Sequence, residues 1–167
     1  ICVRGKIDKN SYKIAPGTKL IADYAFYGKR EFYTVVIPES VVAIGNEAFY
    51  GTDISSIYIS DLKKWCEIDF AGSVGNGPRD VAYFLNGEKI TDLVIPDGTR
   101  YISARAFSEA DIKSLTVPSS VKSIGEFAFG GCDNLETVTI ADGVDEIQRG
   151  AFWHDGNSAR LDGNLKK

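Results

Sequence analysis

The apolar residues of this chain recur in one pattern that repeats along most of its length. Each full repeat contains an Ala-Phe pair, an isoleucine four residues before the alanine, and a β-branched residue eleven residues before it. Successive phenylalanines of these pairs are 23, 58, 22 and 23 residues apart, at Phe26, Phe49, Phe107, Phe129 and Phe152. A fixed period of 22 to 23 residues predicts a solenoid, in which each repeat stacks on the next.

Each repeat also contains a short segment in which apolar and polar residues alternate, as in residues 135–140, LETVTI. Alternation with β-branched residues predicts a short strand with one buried face. Such a strand cannot bury that face alone, so we expect the strands to pair in parallel, about 4.8 Å apart. The predicted strands stack in chain order and end at or near Ile14, Ile37, Ile59, Ile95, Val117 and Ile140.

The remaining part of each repeat must return the chain to the start of the next strand. In one clear repeat, Val121, Ile124 and Phe129 are its inward apolar residues. A repeat of 22 residues leaves too little chain for a long helix. We therefore expect short strands or tight turns on the side opposite the main sheet.

The third repeat is irregular, because Ile54, Ile57 and Ile59 begin a 36-residue unit, residues 54–89, that lacks the Ala-Phe pair. After its strand, Ser60 or Asp61 can cap a short helix that carries Leu62, Trp65 and Cys66 at helical spacing. A glycine-rich loop follows. Asn86-Gly87 then lies between two apolar runs, which is a strong signal for a hairpin. The unit is predicted to form a helix-plus-hairpin insertion between rows three and four, which stay adjacent.

The repeat resembles the leucine-rich repeats, in particular the BspA-like class, whose units read L-x-x-[VI]-x-I-P-x-x-V-x-x-I-G-x-x-A-F-x-x-C. Residues 135–152 match it as LETVTIADGVDEIQRGAF, with Ala141 at the proline position and Gln148 at the glycine position. The insertion resembles one found in the same class, with Trp65-Cys66 and Leu85-Asn86-Gly87 as matching points. The resemblance covers roughly residues 9–155. It implies a mostly β, right-handed repeat solenoid with a stacked parallel sheet.

The resemblance also implies a function, because this class is abundant in surface and secreted proteins of host-associated bacteria and in some protists. It implies a non-catalytic protein-binding or adhesion module that is extracellular or displayed at a bacterial cell surface, with no cofactor. The alternative is a structural spacer that presents a neighbouring domain. We expect residues 1–167 to form a single domain of about six rows. The chain contains no methionine, even at position 1, so we expect it to be a fragment or a processed form.

Composition excludes several other classes of protein. The net charge of −4 argues against a groove that binds nucleic acid, because such a groove needs a basic face. No run of about 18 apolar residues is present, so no membrane span is predicted in this chain. The three cysteines, Cys2, Cys66 and Cys132, do not suggest a disulfide framework, and Cys132 occupies a position that favours a buried thiol.

The sequence contains few residues in arrangements that would form a catalytic or metal site. The only histidine, His154, lies in a polar terminal segment without a positioned partner. The glycine-rich stretch from Gly72 to Gly77 does not lie between a strand and a helix, as a phosphate-binding loop requires. The four Cys and His residues are too scattered for a zinc site. We predict no enzyme activity and no metal.

The outward face of the predicted parallel sheet is the candidate binding surface for a protein or cell-surface ligand. The residue before the last inward position of each strand faces solvent, and Val36, Tyr58 and Val94 would place an apolar, aromatic patch in successive rows. Ordinary β-propensity is the alternative explanation for these residue types. The predicted partner-binding residues are Val36, Tyr58, Val94, Thr116 and Thr139.

Overall fold

A computed structural model of the protein describes residues 5–71 and 81–153. In chain order its elements are β1 (Gly5–Asp8), β2 (Ser11–Ile14), β3 (Leu20–Ile21), β4 (Thr34–Ile37), β5 (Ala43–Ile44), β6 (Ser56–Ile59), α1 (Leu62–Cys66), β7 (Asp69–Phe70), β8 (Ala82–Leu85), β9 (Glu88–Lys89), β10 (Asp92–Val94), β11 (Tyr101–Ile102), β12 (Ser114–Val117), β13 (Ser123–Ile124), β14 (Thr137–Ile140) and β15 (Glu146–Ile147).

The repeated strands stack in parallel and form the solenoid that the alternation predicts. The first sheet has the order β1-β2-β4-β6-β8-β9, and the second has the order β10-β12-β14. Every pairing between β2, β4, β6 and β8, and between β10, β12 and β14, is parallel and in register. Their inward residues, such as Val35, Leu115 and Val117, are buried. Each repeat thus contributes one row of a shared core.

The return segments form two further sheets of two-residue strands, as expected from the short period. The third sheet is β3-β5-β7 and the fourth is β11-β13-β15. The repeated isoleucines align in them, with Ile21 opposite Ile44 and Ile102 opposite Ile124. Because these isoleucines are buried, the short strands close the core on the side opposite the main sheets.

Rows three and four are not adjacent, and this part of the prediction is wrong. Strand β8 pairs with β6 in parallel, so that Ile57 lies opposite Tyr83 and Tyr58 opposite Phe84. Tyr83 points into the core, where it is 3% exposed and its ring centroid is 5.4 Å from that of Phe107. The strand that was predicted to form a hairpin arm therefore supplies an additional row, and β10 begins a separate sheet.

The hairpin itself is confirmed. Strands β8 and β9 are antiparallel, with Phe84 opposite Lys89, and Asn86-Gly87 forms the turn between them. Both turn residues have positive φ, 52° at Asn86 and 92° at Gly87. Two positive values are typical of the type I′ turn that Asn-Gly favours. At the other end of the first sheet, β1 pairs antiparallel with β2 and so ends the parallel stack.

Helix α1 is also confirmed, and it ties the insertion to row four. Its N-cap is Asp61, whose Oδ1 accepts a hydrogen bond of 2.9 Å from the Lys64 backbone N–H. The Trp65 indole N–H donates to the carbonyl oxygen of Ala106 at 2.9 Å, and the Tyr83 hydroxyl donates to the same oxygen at 3.2 Å. Two buried aromatic side chains of the insertion thus converge on one carbonyl group of the next repeat.

The return segments approach each other so closely that glycine is required after the isoleucine in two rows. A Cβ at Gly125 would collide with the backbone nitrogen of Ala104 in the preceding row, and one at Gly45 with that of Asp23. The atoms in the way are backbone atoms, so they cannot move without shifting the row. These glycines permit the row spacing.

We predict that Gly125→Ala lowers the free energy of unfolding by about 1–3 kcal/mol, the usual cost of overpacking a core. Urea unfolding followed by circular dichroism measures the change. Ser123→Ala, in the same short strand, is the control and should cost no more than about 0.5 kcal/mol, because Ser123 is only half-buried. Equal stability of Gly125→Ala and wild type would contradict the close row spacing.

Candidate functional site

The outward face of the first sheet carries a stripe of one aliphatic and two aromatic side chains in consecutive rows. Val36 pairs with Tyr58, and Tyr58 pairs with Phe84. The rings of Tyr58 and Phe84 are stacked, with centroids 4.3 Å apart and an interplanar angle of 2°. All three side chains are half-buried. We call Val36, Tyr58 and Phe84 the aromatic stripe.

Phe84 was missed by the sequence analysis, although a signal for it exists. The run Ala82–Leu85 alternates in the same sense as the other row strands, with Tyr83 inward and Phe84 outward. The Asn86-Gly87 signal predicts that this run is a hairpin arm outside the stack, and that prediction leaves Phe84 out of the sheet face.

The surroundings of the aromatic stripe are small and polar. The next outward position of each row strand forms a second column beside it, made of Ser11, Thr34, Ser56 and Ala82. Lys13 lies opposite Val36 at one end of the stripe, and Lys89 lies opposite Phe84 at the other. The face thus combines a rigid apolar centre with hydroxyl groups and lysines at its margin.

Val94, Thr116 and Thr139 are aligned as predicted, but they lie on the second sheet. Val94 is opposite Thr116, and Thr116 is opposite Thr139. Val94 is 60% exposed, so its outward orientation is confirmed. The single column that was predicted to join Val36, Tyr58 and Val94 does not exist, because β8 takes the place beside β6 and Val94 belongs to a separate sheet.

The column next to Val94 is polar and internally hydrogen-bonded. The Ser114 hydroxyl donates to Asp92 Oδ1 at 2.5 Å, and the Thr91 hydroxyl donates to Asp92 Oδ2 at 3.1 Å. These two hydrogen bonds, the one from Ser114 foremost, hold the pKa of the Asp92 carboxyl below its ordinary value. The second sheet is therefore a more polar surface than the first.

A groove of about 410 Å³ lies beside α1. Lys19, Lys64, Glu39 and Glu67 contribute its charges, which cancel. Lys64 is already engaged, with its ammonium nitrogen 2.7 Å from Glu39 Oε2, and that hydrogen bond raises the pKa of Lys64. The positive and negative charges of the groove balance, and two of them, Lys64 and Glu39, already pair with each other. The groove therefore offers little selectivity for a charged ligand.

Nucleophilic and metal chemistry find no support in the described residues. The thiols of Cys66 and Cys132 are buried, and burial raises the pKa of both, that of Cys132 to about 12. Thiols of this kind stay protonated and unreactive at neutral pH. Within residues 5–71 and 81–153, no three His, Cys, Asp or Glu side chains are grouped to hold a metal ion. Cys2, His154 and the loop from Gly72 to Gly77 lie outside the described residues.

The comparison with known proteins agrees with the architecture. The family model for the BspA type leucine rich repeat region matches residues 5–73 and 81–165 in six copies. No curated protein sequence is significantly similar. In the part of the chain that the structure describes, no helix is long and apolar enough to span a bilayer.

Solved structures include similar bacterial proteins. A leucine rich cell surface protein from Faecalibacterium prausnitzii is 22% identical and has a TM-score of 0.46, over 86% of this chain and 51% of that one. A leucine-rich repeat protein from T. pallidum is 20% identical, with a TM-score of 0.46, over 86% and 81% of the two chains. This chain thus spans about half of the F. prausnitzii protein. With the family model matched over most of its length, the chain belongs to the BspA-type leucine-rich repeat family.

Proposed function

We propose that this chain is a non-catalytic protein-binding module and that its interface is the outward face of the first sheet. Membership of a leucine-rich repeat family indicates a protein-interaction or surface module. The observation that carries the proposal is the stacked pair of Tyr58 and Phe84 at the centre of this face. Interfaces are enriched in aromatic side chains at their centres and in polar groups at their rims, and the face around this pair has that composition.

The stacking makes these rings suitable as binding residues. Tyrosine and phenylalanine each have only two side-chain torsions to fix, and ring stacking restricts them before a partner arrives. A preordered surface loses less conformational entropy on binding, so more of the contact energy appears as affinity. The neighbouring serine and threonine hydroxyls can hydrogen-bond to a partner at the margin of the stripe.

We keep Val94, Thr116 and Thr139 in the proposed interface as a second, more polar patch. We also propose that the module acts outside the cell, at a bacterial surface, as an adhesion or ligand-binding part of a larger protein. Family membership supports this proposal, because BspA-like proteins are typically cell-surface proteins. A spacer that only presents a neighbouring domain would need no ordered aromatic pair on this face.

Tyr58→Ala is predicted to weaken partner binding by about 1–3 kcal/mol, in the range of interface hot spots, while leaving the fold intact. Phe84→Ala is predicted to do the same, because each ring supports the other. The measurement is a titration of the immobilised protein with fibronectin, laminin and collagen as probes of the host extracellular matrix. Tyr24→Ala is the matched control, because Tyr24 is an exposed tyrosine of the return segment and lies outside the first sheet.

Binding that survives both Tyr58→Ala and Phe84→Ala would place the interface elsewhere. Loss of binding in the Tyr24→Ala control would also contradict the proposed face. If wild type binds none of the matrix probes, the spacer explanation gains support.

A further inference from the structure

The charges at the outward positions of β2, β4, β6, β8 and β9 in the first sheet are all of one sign. On β2, β4, β6, β8 and β9 the outward positions in register with the aromatic stripe and its neighbouring column include two lysines, Lys13 and Lys89, and no acidic residue. Strand β1 adds one lysine and one aspartate at the register positions opposite β2, so its net contribution is zero. In a chain of net charge −4, this face is locally basic.

The two lysines differ in how far their charge is satisfied. The Lys89 ammonium lies 2.6 Å from Asp111 Oδ2, and this hydrogen bond is the main reason why the pKa of Asp111 is lowered. Lys13 is exposed, and among the described side chains, which do not include those of residues 6–8, it has no ion-pair partner. Of the two lysines, Lys13 is therefore the one that an incoming carboxylate can reach without displacing a described partner, and it lies at the Val36 end of the stripe.

The spacing of the rows sets the distance between this charge and the rings. Neighbouring strands are about 4.8 Å apart, so Lys13 and Tyr58, which are separated by one row, are about 10 Å apart. A peptide that runs along the stripe in the polyproline II conformation advances about 3.1 Å per residue with three residues per turn, so its side chains i and i+3 point to the same side about 9 Å apart. Two of its side chains that contact Lys13 and the Tyr58 ring are therefore separated by about three positions.

We propose that the partner of this face is an acidic protein segment with a large apolar side chain about three residues from an aspartate or glutamate. The carboxylate pairs with Lys13, and the apolar side chain packs on the edges of the Tyr58 and Phe84 rings. This inference rests on the proposed function and names the chemistry of its partner. A nucleic-acid backbone fits less well, because its binding depends on several phosphate contacts, whereas among the described side chains two lysines flank the stripe and one of them, Lys89, is already paired.

The test uses a display library of random peptides selected on the full chain and counter-selected on its Tyr58→Ala variant. The enriched peptides are expected to contain Asp or Glu about three positions from Phe, Trp, Tyr or Leu. A synthetic peptide with an enriched sequence is then titrated against single variants. Lys13→Glu is expected to weaken its binding by about tenfold or more, because it replaces an attraction by a repulsion.

Lys19→Glu is the matched control. Lys19 is also exposed and lies in the same repeat, but it borders the groove beside α1 instead of the first sheet. It makes the same charge change and should alter the affinity by less than about twofold, because the long separation is screened by salt. Raising the salt concentration should weaken the wild-type complex and strengthen the Lys13→Glu complex, because salt screens an attraction in the first and a repulsion in the second.

The outcomes separate this inference from the function on which it rests. Peptides that require Tyr58 but are neutral or basic, or that bind Lys13→Glu as tightly as wild type, would overturn the acidic partner and leave the interface in place. A selection in which no peptide loses binding on Tyr58→Ala would contradict the proposed interface itself. Equal losses in Lys13→Glu and Lys19→Glu would show a non-specific charge effect and would also overturn the inference.

Discussion

Trp65→Ala is expected to lower the free energy of unfolding by about 3–5 kcal/mol, the range for truncating a large core side chain. Trp65 is only 2% exposed, and its ring makes edge contacts with Phe70 at 5.5 Å and Tyr83 at 5.8 Å between centroids. The substitution also removes the indole N–H that donates to the Ala106 carbonyl oxygen. The cavity would open where α1, β8 and row four meet.

Urea unfolding followed by circular dichroism measures this loss. Trp153→Ala is the matched control, because Trp153 is 52% exposed and packs mainly on the edge of Phe127, so its loss should cost no more than about 1 kcal/mol. An unchanged unfolding midpoint for Trp65→Ala would mean that the insertion is not part of the cooperative core. The assignment of β8 to the stack would then lose its main packing argument.

Phe107→Ala is expected to have a similar effect, a loss of about 3–5 kcal/mol. Phe107 is 0% exposed and lies between Tyr83 on one side and Phe129 on the other, with the Phe129 ring stacked at 5.6 Å and 2°. It belongs to the Ala-Phe positions, yet one of its neighbours comes from the insertion. Its removal therefore damages the junction between the irregular unit and the regular repeats that follow.

Phe152→Ala is the internal control for this prediction. Phe152 occupies the same position in the last described repeat, stacks on Phe129 at 5.4 Å and is only partly buried. Since less of its surface is buried, its truncation should cost clearly less than that of Phe107, and thermal unfolding of the two variants provides the comparison. Equal costs would contradict a core in which the aromatic rings are most enclosed at the centre of the stack.

Local features of the fold could be predicted from the sequence because they depend on short-range chemistry. The period of the Ala-Phe pairs identifies the rows, and alternation identifies both the strands and the side chains that face out. The Asp61 cap and the Asn86-Gly87 turn are each set by residue types within a few positions of one another. These features agree with the structure.

The neighbour of row three could not be predicted because it depends on a long-range pairing. Tyr58 and Phe84 are 26 residues apart, and helix α1, strand β7 and residues 72–80 lie between them in the sequence. The Asn-Gly turn predicts the pairing of β8 with β9, which uses one edge of β8. It carries no information about the other edge, which pairs with β6. Burial of Tyr83 between Trp65 and Phe107 favours the pairing of β8 with β6. The period of the repeat does not predict this burial.

The prediction that Val36, Tyr58 and Val94 form one column is wrong for the same reason. The outward orientation of Val36, Tyr58 and Val94 follows from alternation alone and agrees with the structure, whereas membership of one column required knowledge of the strand order. In the structure, Phe84 and not Val94 is the neighbour of Tyr58 in this column, and this changes the chemical character of the face. A loose group of exposed residues becomes a stacked aromatic pair, which is the feature that supports a binding role.

The most direct test of this account is a nuclear Overhauser spectrum of the protein in solution, with assigned aromatic and methyl protons. The account predicts strong cross-peaks between the rings of Tyr58 and Phe84, whose centroids are 4.3 Å apart, and between Tyr58 and the methyl groups of Val36. It predicts none between Tyr58 and the methyl groups of Val94, which lies on the second sheet. Cross-peaks from Tyr58 to Val94 in place of Phe84 would contradict the strand order and the aromatic stripe on which the proposed function depends.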